Sequence, residues 1–225
     1  MVTSSFAAIV DEAQLSDPST TFTEDSWNPV TLADIHNGPA TAYRASKTLA
    51  ERAAWDFVNN AATTGAKFEL VTINPPLVFG PVAHHLESLE AVNTSNQRLV
   101  GLIEGQWKQA IPPTGQAFIW VDVRDVATAH VKAGLEIPEA AGQRFFTTTG
   151  EFTNREIVDI VRRNFPELAD KLPGSEVPGG DLPAERYKSE NTKSREVLKM
   201  DWISLEKSIT DTIKTLLAHK AWERK

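Results

Sequence analysis

The chain reads Phe68-Glu-Leu-Val-Thr-Ile73 and continues directly into Asn74-Pro75-Pro76. The apolar and β-branched residues of this segment predict a buried strand, and the two prolines predict that the strand ends there. Ala117-Phe-Ile-Trp-Val121 and Arg144-Phe-Phe-Thr-Thr148 have the same character. We therefore expect short strands in the core of the protein, with a loop at the carboxyl end of the first.

Longer segments with helical periodicity separate these strands. Within 42–59, Leu49, Ala53 and Phe57 recur at helical spacing, while Glu51 falls on another face with charged neighbours. Further helices are predicted over 94–104, 123–135, 154–165, 188–199 and 204–219. The alternation of strands with helices predicts an α/β protein with a mainly parallel sheet.

Composition excludes several classes of function. The 225 residues carry 23 basic and 30 acidic side chains, a formal net charge of -7, so nucleic acid is not an expected partner. No apolar run approaches the roughly 18 residues that would span a bilayer, and Met1–Val10 lacks the positive flank of a signal peptide. The absence of cysteine excludes disulfides and thiol catalysis. We expect a cytoplasmic protein that does not act at a membrane.

The strongest catalytic candidate is Tyr43-Arg-Ala-Ser-Lys47. A spacing of four residues places the phenol and the ammonium on one helix face, one turn apart. A nearby ammonium favours the phenolate and makes proton exchange with a substrate oxygen feasible. The hydroxyl of Ser4 or Ser5 could hydrogen-bond the same oxygen. The alternative is an exposed tyrosine and lysine without a catalytic role.

Four other segments accompany this motif in a fixed order. They are Thr3-Ser4-Ser5, the loop Asn74–Pro81, Asp122-Val-Arg-Asp125-Val-Ala127 and Gly142-Gln-Arg144-Phe145. With the Tyr-x-x-x-Lys motif they resemble the extended short-chain dehydrogenase/reductase family over essentially the whole chain. Within that family the sequence is most similar to fungal NADPH-dependent methylglyoxal and carbonyl reductases and to dihydroflavonol reductase-like proteins.

The resemblance implies a Rossmann-type, doubly wound parallel sheet, incomplete at its amino end, with a small mixed substrate-binding lobe. It places a partial dinucleotide-binding domain at residues 1–146. Residues 82–113 would contribute to the substrate lobe, and residues 147–225 would form most of that lobe.

The resemblance also implies an activity, the NAD(P)H-dependent reduction of a small-molecule aldehyde or ketone. Ser5 matches the serine that hydrogen-bonds the carbonyl, Tyr43 the proton donor, and Lys47 the residue that bonds the nicotinamide ribose and assists ionisation of the tyrosine. The expected cofactor contacts are Tyr43, Lys47, Pro75, Pro76, Leu77, Val78 and Ser95. The expected cofactor is NADP rather than NAD, and no metal site is expected.

One part of the family pattern is absent. Its members begin with a strand, a glycine-rich turn and a helix that hold the pyrophosphate. Here no glycine precedes Gly38, and Met1-Val2-Thr3 continues directly into the run Ser4–Val10, so the chain is expected to begin inside a buried strand that ends at Ser5. Two alternatives stay open: a catalytically silent truncated fragment, and a sugar-nucleotide epimerase or dehydratase. The apolar Phe6-Ala7 after Ser5 favours small or aromatic carbonyls over a nucleotide sugar.

Two other groups of residues are given structural interpretations. Asp122, Arg124 and Asp125 lie where a strand meets a helix, which predicts capping and ion pairing rather than acid–base catalysis. Trp107 and Trp120 are predicted to pack in the core.

Overall fold

The computed structural model describes residues 1–222, with side chains up to His219. The chain forms two compact units. Unit 1 contains Met1–Pro76, Asp125–Thr148 and Glu185–Asp201, and unit 2 contains Leu77–Arg124, Thr149–Ala184 and the chain from Trp202 onward. The domain boundaries expected from the sequence stay a prediction.

The secondary structure is a series of short strands between helices. The strands are β1 (Val2–Thr3), β2 (Thr21–Phe22), β3 (Thr72–Asn74), β4 (Leu77–Phe79), β5 (Ile119–Asp122), β6 (Arg144–Phe146), β7 (Gly150–Glu151) and β8 (Lys188–Ser189). The helices are α1 (Pro39–Asn59), α2 (Ala61–Thr64), α3 (Thr94–Ile103), α4 (Val123–Val131), α5 (Asn154–Asn164), α6 (Thr192–Glu196) and α7 (Leu205–Trp222). None of these helices is long and apolar enough to cross a bilayer.

The strands pair mostly in parallel. In unit 1, β3 lies between β1 and β6 and is parallel to both, with Ile73 opposite Thr3 on one side and Phe145 on the other. Strands β2 and β8 form a second parallel pair. In unit 2, β5 pairs in parallel with β4 and antiparallel with β7. These pairs and their helices confirm the predicted α/β class.

Each unit has its own apolar core. In unit 1, Ile73 and Phe145 are fully buried beside Leu198. In unit 2, a larger cluster includes Trp107 and Trp120, so the packing role predicted for both tryptophans is confirmed. Helix α7 contributes Ile209, Ile213 and Leu216 to that cluster, at the spacing of one helix face.

The first strand predicted from the sequence, which was expected to end at Ser5, is present but is not buried. The strand is only β1, which is exposed, and Phe6–Ala8 forms a 3-10 turn. Ser5 caps this turn, because its side-chain oxygen accepts a hydrogen bond from the Ala7 N–H. The apolar residues after Ser5 are therefore buried by the packing of a turn against α1 rather than by a sheet.

Two predicted helices also differ from the structure. The segment 188–199 begins as β8, because the Lys188 and Glu190 N–H groups donate to the carbonyls of Thr20 and Phe22, and only α6 is helical. The helix predicted over 123–135 is α4 followed by a π-helical turn at Lys132–Glu136. Long-range strand pairing overrides the helical pattern in the first case.

Gly80, just after β4, is required by its backbone and by its neighbours. Its φ is 133°, and a Cβ atom would lie 2.6 Å from Cγ1 of Val123. We expect Gly80→Ala to lower the free energy of unfolding by about 2 kcal/mol or more, measured by urea unfolding. Gly65→Ala is the matched control, because Gly65 also has a positive φ, 71°, but faces open space. An equal loss in both variants would contradict the steric explanation.

Candidate active site

Ser4 and Ser5, which follow β1, have different hydrogen bonds. Ser4 is buried, and its hydroxyl donates to the Glu51 carboxylate. The Ser5 Oγ accepts the Ala7 N–H at 3.1 Å, and its own proton has no acceptor among the described residues. Of the two serines, Ser5 is thus the one that retains a free donor, as the sequence-based assignment requires.

Tyr43 and Lys47 lie one turn apart on α1, as their spacing predicts. The Tyr43 side chain is 56% exposed, and no described residue bonds its phenol. The Lys47 Nζ donates to the Thr3 carbonyl at 3.2 Å, which places it against the end of β1. Within the described part of the chain, no hydrogen bond joins the side chains of Ser5, Tyr43 and Lys47. Their joint catalytic role therefore stays a prediction.

The turn that follows Ser5 is docked on α1. Thr48, the neighbour of Lys47, is fully buried, and its hydroxyl lies 3.4 Å from the Ala7 carbonyl oxygen. The same carbonyl accepts a hydrogen bond from the Asn28 side chain at 2.9 Å. The segment that carries Ser5 and the helix that carries Lys47 therefore contact each other directly.

Thr3 holds the end of β1 from the other side. Its Oγ1 lies 2.7 Å from Nε2 of His130, whose Nδ1 lies 2.8 Å from the Val126 carbonyl oxygen. Because a carbonyl can only accept, Nδ1 is the donor in its contact with Val126. Thr3 thus connects α4, β1 and, through its carbonyl, Lys47.

Glu51 is the residue whose environment the sequence pattern predicted wrongly. It was expected on a charged face of α1, but it is only 1% exposed. Its carboxylate accepts hydrogen bonds from Ser4 Oγ, Trp55 Nε1 at 3.2 Å, Thr72 Oγ1 at 3.0 Å, Asn74 Nδ2 at 2.7 Å and Arg144 Nε at 2.7 Å. The one available signal was the spacing, because four residues separate Glu51 from Lys47 and place both on one side of the helix.

The charge of Glu51 is stabilised despite its burial. Burial is the largest single influence and raises the pKa, but the hydrogen bond and charge of Arg144, with hydrogen bonds from Ser4 and Asn74, outweigh it. The pKa of Glu51 therefore lies below its ordinary value, and the carboxylate is ionised at neutral pH. A buried carboxylate is tolerated when it is paired and fully hydrogen-bonded in this way.

Arg144 extends the network to a loop. Its guanidinium donates to the carbonyls of Glu24 and, at 2.8 Å, Ser26. It also stacks on the Trp27 ring, with its central carbon 3.7 Å from the ring centroid. The loop before α1 is therefore held to the same ion pair as the strand ends.

Pro75 and Pro76, two of the expected cofactor contacts, end the first segment of unit 1. The Pro75 carbonyl accepts the Phe6 N–H at 2.9 Å, which connects the loop after β3 to the turn that Ser5 caps.

The other expected contacts, Leu77, Val78 and Ser95, belong to unit 2. The Val78 N–H donates to Ser95 Oγ at 3.0 Å, and its carbonyl accepts from the Asn93 side chain at 3.1 Å. Ser95 therefore orients β4 while its own proton stays unbonded within the described chain. Contact of these residues with a cofactor stays a prediction.

Asp122 and Arg124 are capping and ion-pairing residues, as predicted. The Asp122 carboxylate accepts the Arg124 backbone N–H and two guanidinium N–H groups, all between 2.8 and 2.9 Å. A further guanidinium nitrogen donates to Asp211 at 2.6 Å. Among the described residues, no group of three or more potential ligands could hold a metal ion.

We expect Glu51→Gln to lower the free energy of unfolding by about 3 kcal/mol at pH 7, because it leaves the buried Arg144 charge unpaired. The folded-state pKa of Glu51 is lowered, so its contribution is present above the unfolded pKa of about 4.3 and is lost as pH falls through the folded value. Urea unfolding at pH 7 and pH 3 should therefore give a difference between wild type and variant that shrinks in acid.

Glu12→Gln is the control for this experiment. Glu12 pairs with Arg44 at the surface, and its side chain is 59% exposed, so we expect an effect below about 1 kcal/mol. A Glu51→Gln effect as small as this, or one that does not change with pH, would contradict the network as described.

No protein-family model matches the chain. The ketoreductase azaE of Aspergillus niger is 46% identical over 217 residues, which cover 96% of this chain and 62% of the relative. The NADPH-dependent methylglyoxal reductase GRE2 of Saccharomyces cerevisiae is 35% identical over 221 residues, which cover 96% of this chain and 63% of the relative. The chain thus spans less than two thirds of the length of either relative.

Solved structures agree with these relatives. The crystal structure of yeast methylglyoxal/isovaleraldehyde reductase Gre2 complexed with NADPH matches 97% of this chain and 63% of its own, with a TM-score of 0.81 and 32% identity. Alfalfa vestitone reductase, 21% identical with a TM-score of 0.67, shares the fold. These matches confirm the predicted Rossmann-type fold. Over 96–97% of its length, the chain is homologous to part of these fungal proteins, which are named as a ketoreductase and as NADPH-dependent methylglyoxal reductases.

Proposed function

We propose that this chain carries the catalytic residues of an NADPH-dependent reductase of aldehydes or ketones, with Ser5, Tyr43 and Lys47 as the catalytic group. The relatives that support the proposal are named as a ketoreductase and as methylglyoxal reductases. The observation that carries it is the free hydroxyl proton of Ser5, next to a strand end that Lys47 also contacts. Of the two candidate serines, this arrangement favours Ser5.

The donors of unit 1 fit the expected cofactor and substrate. Lys47 uses one N–H on the Thr3 carbonyl, which leaves two for hydroxyls of the nicotinamide ribose. Pro75 and Pro76 would lie along the nicotinamide, with Leu77, Val78 and Ser95 as the remaining proposed contacts. When bound, NADPH supplies the hydride that reduces the carbonyl carbon.

The roles of the three side chains follow from their chemistry. The Ser5 hydroxyl donates a hydrogen bond to the substrate carbonyl oxygen and holds it in place. Tyr43 transfers its phenolic proton to that oxygen as negative charge develops there. The Lys47 ammonium stabilises the phenolate that remains. In the reverse direction, the phenolate takes the proton of the alcohol.

NADPH is favoured over NADH by the relatives alone. The yeast relative is named as NADPH-dependent, and the crystal structure of yeast Gre2 is a complex with NADPH. The sequence contains no glycine-rich pyrophosphate motif, so the affinity of this chain for NADPH has to be measured directly. Location in the cytoplasm stays a prediction.

The surroundings of Phe6 favour a small or aromatic substrate. Its ring stacks on Phe146 and Tyr187, at centroid distances of 5.2 and 5.8 Å, and meets Phe22 edge to face at 5.9 Å. Phe22, Phe146 and Tyr187 are buried, so Phe6 is the half-buried member of this cluster, and its ring next to Ser5 offers an apolar contact and no charge for a sugar diphosphate. The sugar-nucleotide dehydratase that matches in structure is 18% identical, which supports the fold alone.

The test is consumption of NADPH by the purified chain with methylglyoxal and with aryl ketones. We expect Tyr43→Phe and Ser5→Ala each to lower kcat/KM by about 10²–10⁴-fold, because each removes a group that acts on the carbonyl oxygen. Ser46→Ala is the control, because the exposed Ser46 hydroxyl donates to the Tyr43 carbonyl within the same helix at 2.7 Å.

Retention of wild-type turnover in Tyr43→Phe would reject the proposed proton donor. If the wild-type chain neither binds NADPH nor turns over, the proposal fails for this chain and the silent-fragment alternative holds.

A further inference from the structure

We propose that Glu51 is a positioning residue, which sets the place of Ser5 relative to the Tyr43–Lys47 helix. The inference rests on the proposed reductase function for its catalytic consequence. Its structural part stands on the hydrogen bonds around the carboxylate, all of which lie within unit 1.

The position of Glu51 on α1 allows its carboxylate to contact several neighbouring elements. It lies one helical turn after Lys47 and two turns after Tyr43. The residues that donate to it come from different elements: Ser4 follows β1, Asn74 ends β3, and Arg144 begins β6. One buried carboxylate therefore joins the catalytic helix to the ends of the neighbouring strands.

Two links lead from Glu51 to Ser5. The first is Ser4, which donates its hydroxyl proton to Oε2 of Glu51 and is covalently bonded to Ser5. The second is Asn74, whose side-chain amide donates to the same Oε2 at 2.7 Å and to the Ser5 carbonyl at 3.3 Å. Hydrogen bonds to Glu51 therefore hold the backbone on both sides of the Ser5 side chain, through Ser4 on one side and through Asn74 on the other.

The two carboxylate oxygens of Glu51 accept hydrogen bonds from different donors. Oε1 accepts from Arg144, Thr72 and Trp55, and this half accounts for the charge pairing. Among the described residues, the donors to Oε2 are the neutral groups of Ser4 and Asn74. These two bonds stabilise the buried charge together with Arg144, and they also have a geometric consequence. They hold the segment of Ser5, and a displacement of about 1 Å in such a group costs on the order of 10²-fold in rate.

The experiment compares three variants of the full chain. Ser4→Ala removes one link and keeps the Glu51–Arg144 pair, so it tests the proposal even where Glu51→Gln fails to fold. Ile73→Val is the control, because Ile73 lies on β3 between Thr72 and Asn74 but packs in the apolar core of unit 1. Each variant is assayed for kcat and KM, and for amide hydrogen exchange without substrate.

We expect kcat to fall about tenfold in Ser4→Ala and about 10²-fold in Glu51→Gln, with KM for NADPH and for the carbonyl within about twofold of wild type. Ile73→Val should leave kcat unchanged. A rise in KM at constant kcat, or an equal fall of kcat in the control, would overturn the positioning role.

Amide hydrogen exchange reports how firmly the segment of Ser5 is held, and it does not require catalytic activity. In Ser4→Ala and Glu51→Gln, the Phe6 and Ala7 amides, which donate to Pro75 and Ser5, should exchange at least about tenfold faster. The Lys188 amide, which donates to Thr20 in the β2–β8 pair, should not change. Uniform acceleration across unit 1, or none, would overturn the inference.

If the wild-type chain shows no turnover, the reductase proposal fails, and this exchange pattern alone decides whether Glu51 holds the Ser5 segment.

Discussion

The buried ion pair between Glu51 and Arg144 is the constraint on which the geometry of unit 1 depends. Removing two charges from water is costly, and the cost is offset only when each charge has several well-placed partners. Glu51 meets this condition with donors from a helix and from three strand segments. Because all of them converge on one carboxylate, the strand ends cannot shift independently of α1. The requirement to satisfy a buried charge thus also places the candidate catalytic residues.

The contrast between Ser4 and Ser5 follows from the same constraint. Successive side chains of an extended backbone point to opposite sides, so one serine faces the buried carboxylate and the other faces away from it. The Ser4 hydroxyl donates its proton in a hydrogen bond to Glu51, whereas the Ser5 oxygen caps a turn as an acceptor and the Ser5 hydroxyl proton is not donated to any described residue. A pair of identical residues in sequence therefore divides into a structural residue and a candidate chemical one.

Helices with strong local signals could be predicted closely. Helix α5 spans Asn154–Asn164 against an expected 154–165, and its start is defined by a capping box between Thr153 and Glu156. Helix α1 begins slightly earlier than expected, because Pro39 is compatible with the first helical turn. The helix predicted over 188–199 failed in its first part, because long-range pairing with β2 overrides the local helical pattern there.

The α/β class, the family resemblance and the placement of Tyr43 and Lys47 on one helix face could be inferred from the amino-acid sequence, because these depend on local periodicity and on motif order. The burial of Glu51, and the free hydroxyl of Ser5 rather than of Ser4, are visible in the three-dimensional structure alone. Those facts depend on long-range hydrogen bonds. Ser4 and Glu51 are 47 positions apart in the chain, and Glu51 and Arg144 are 93 positions apart. Helical periodicity reports which side of α1 a residue occupies, but it carries no information about which distant donors face that side.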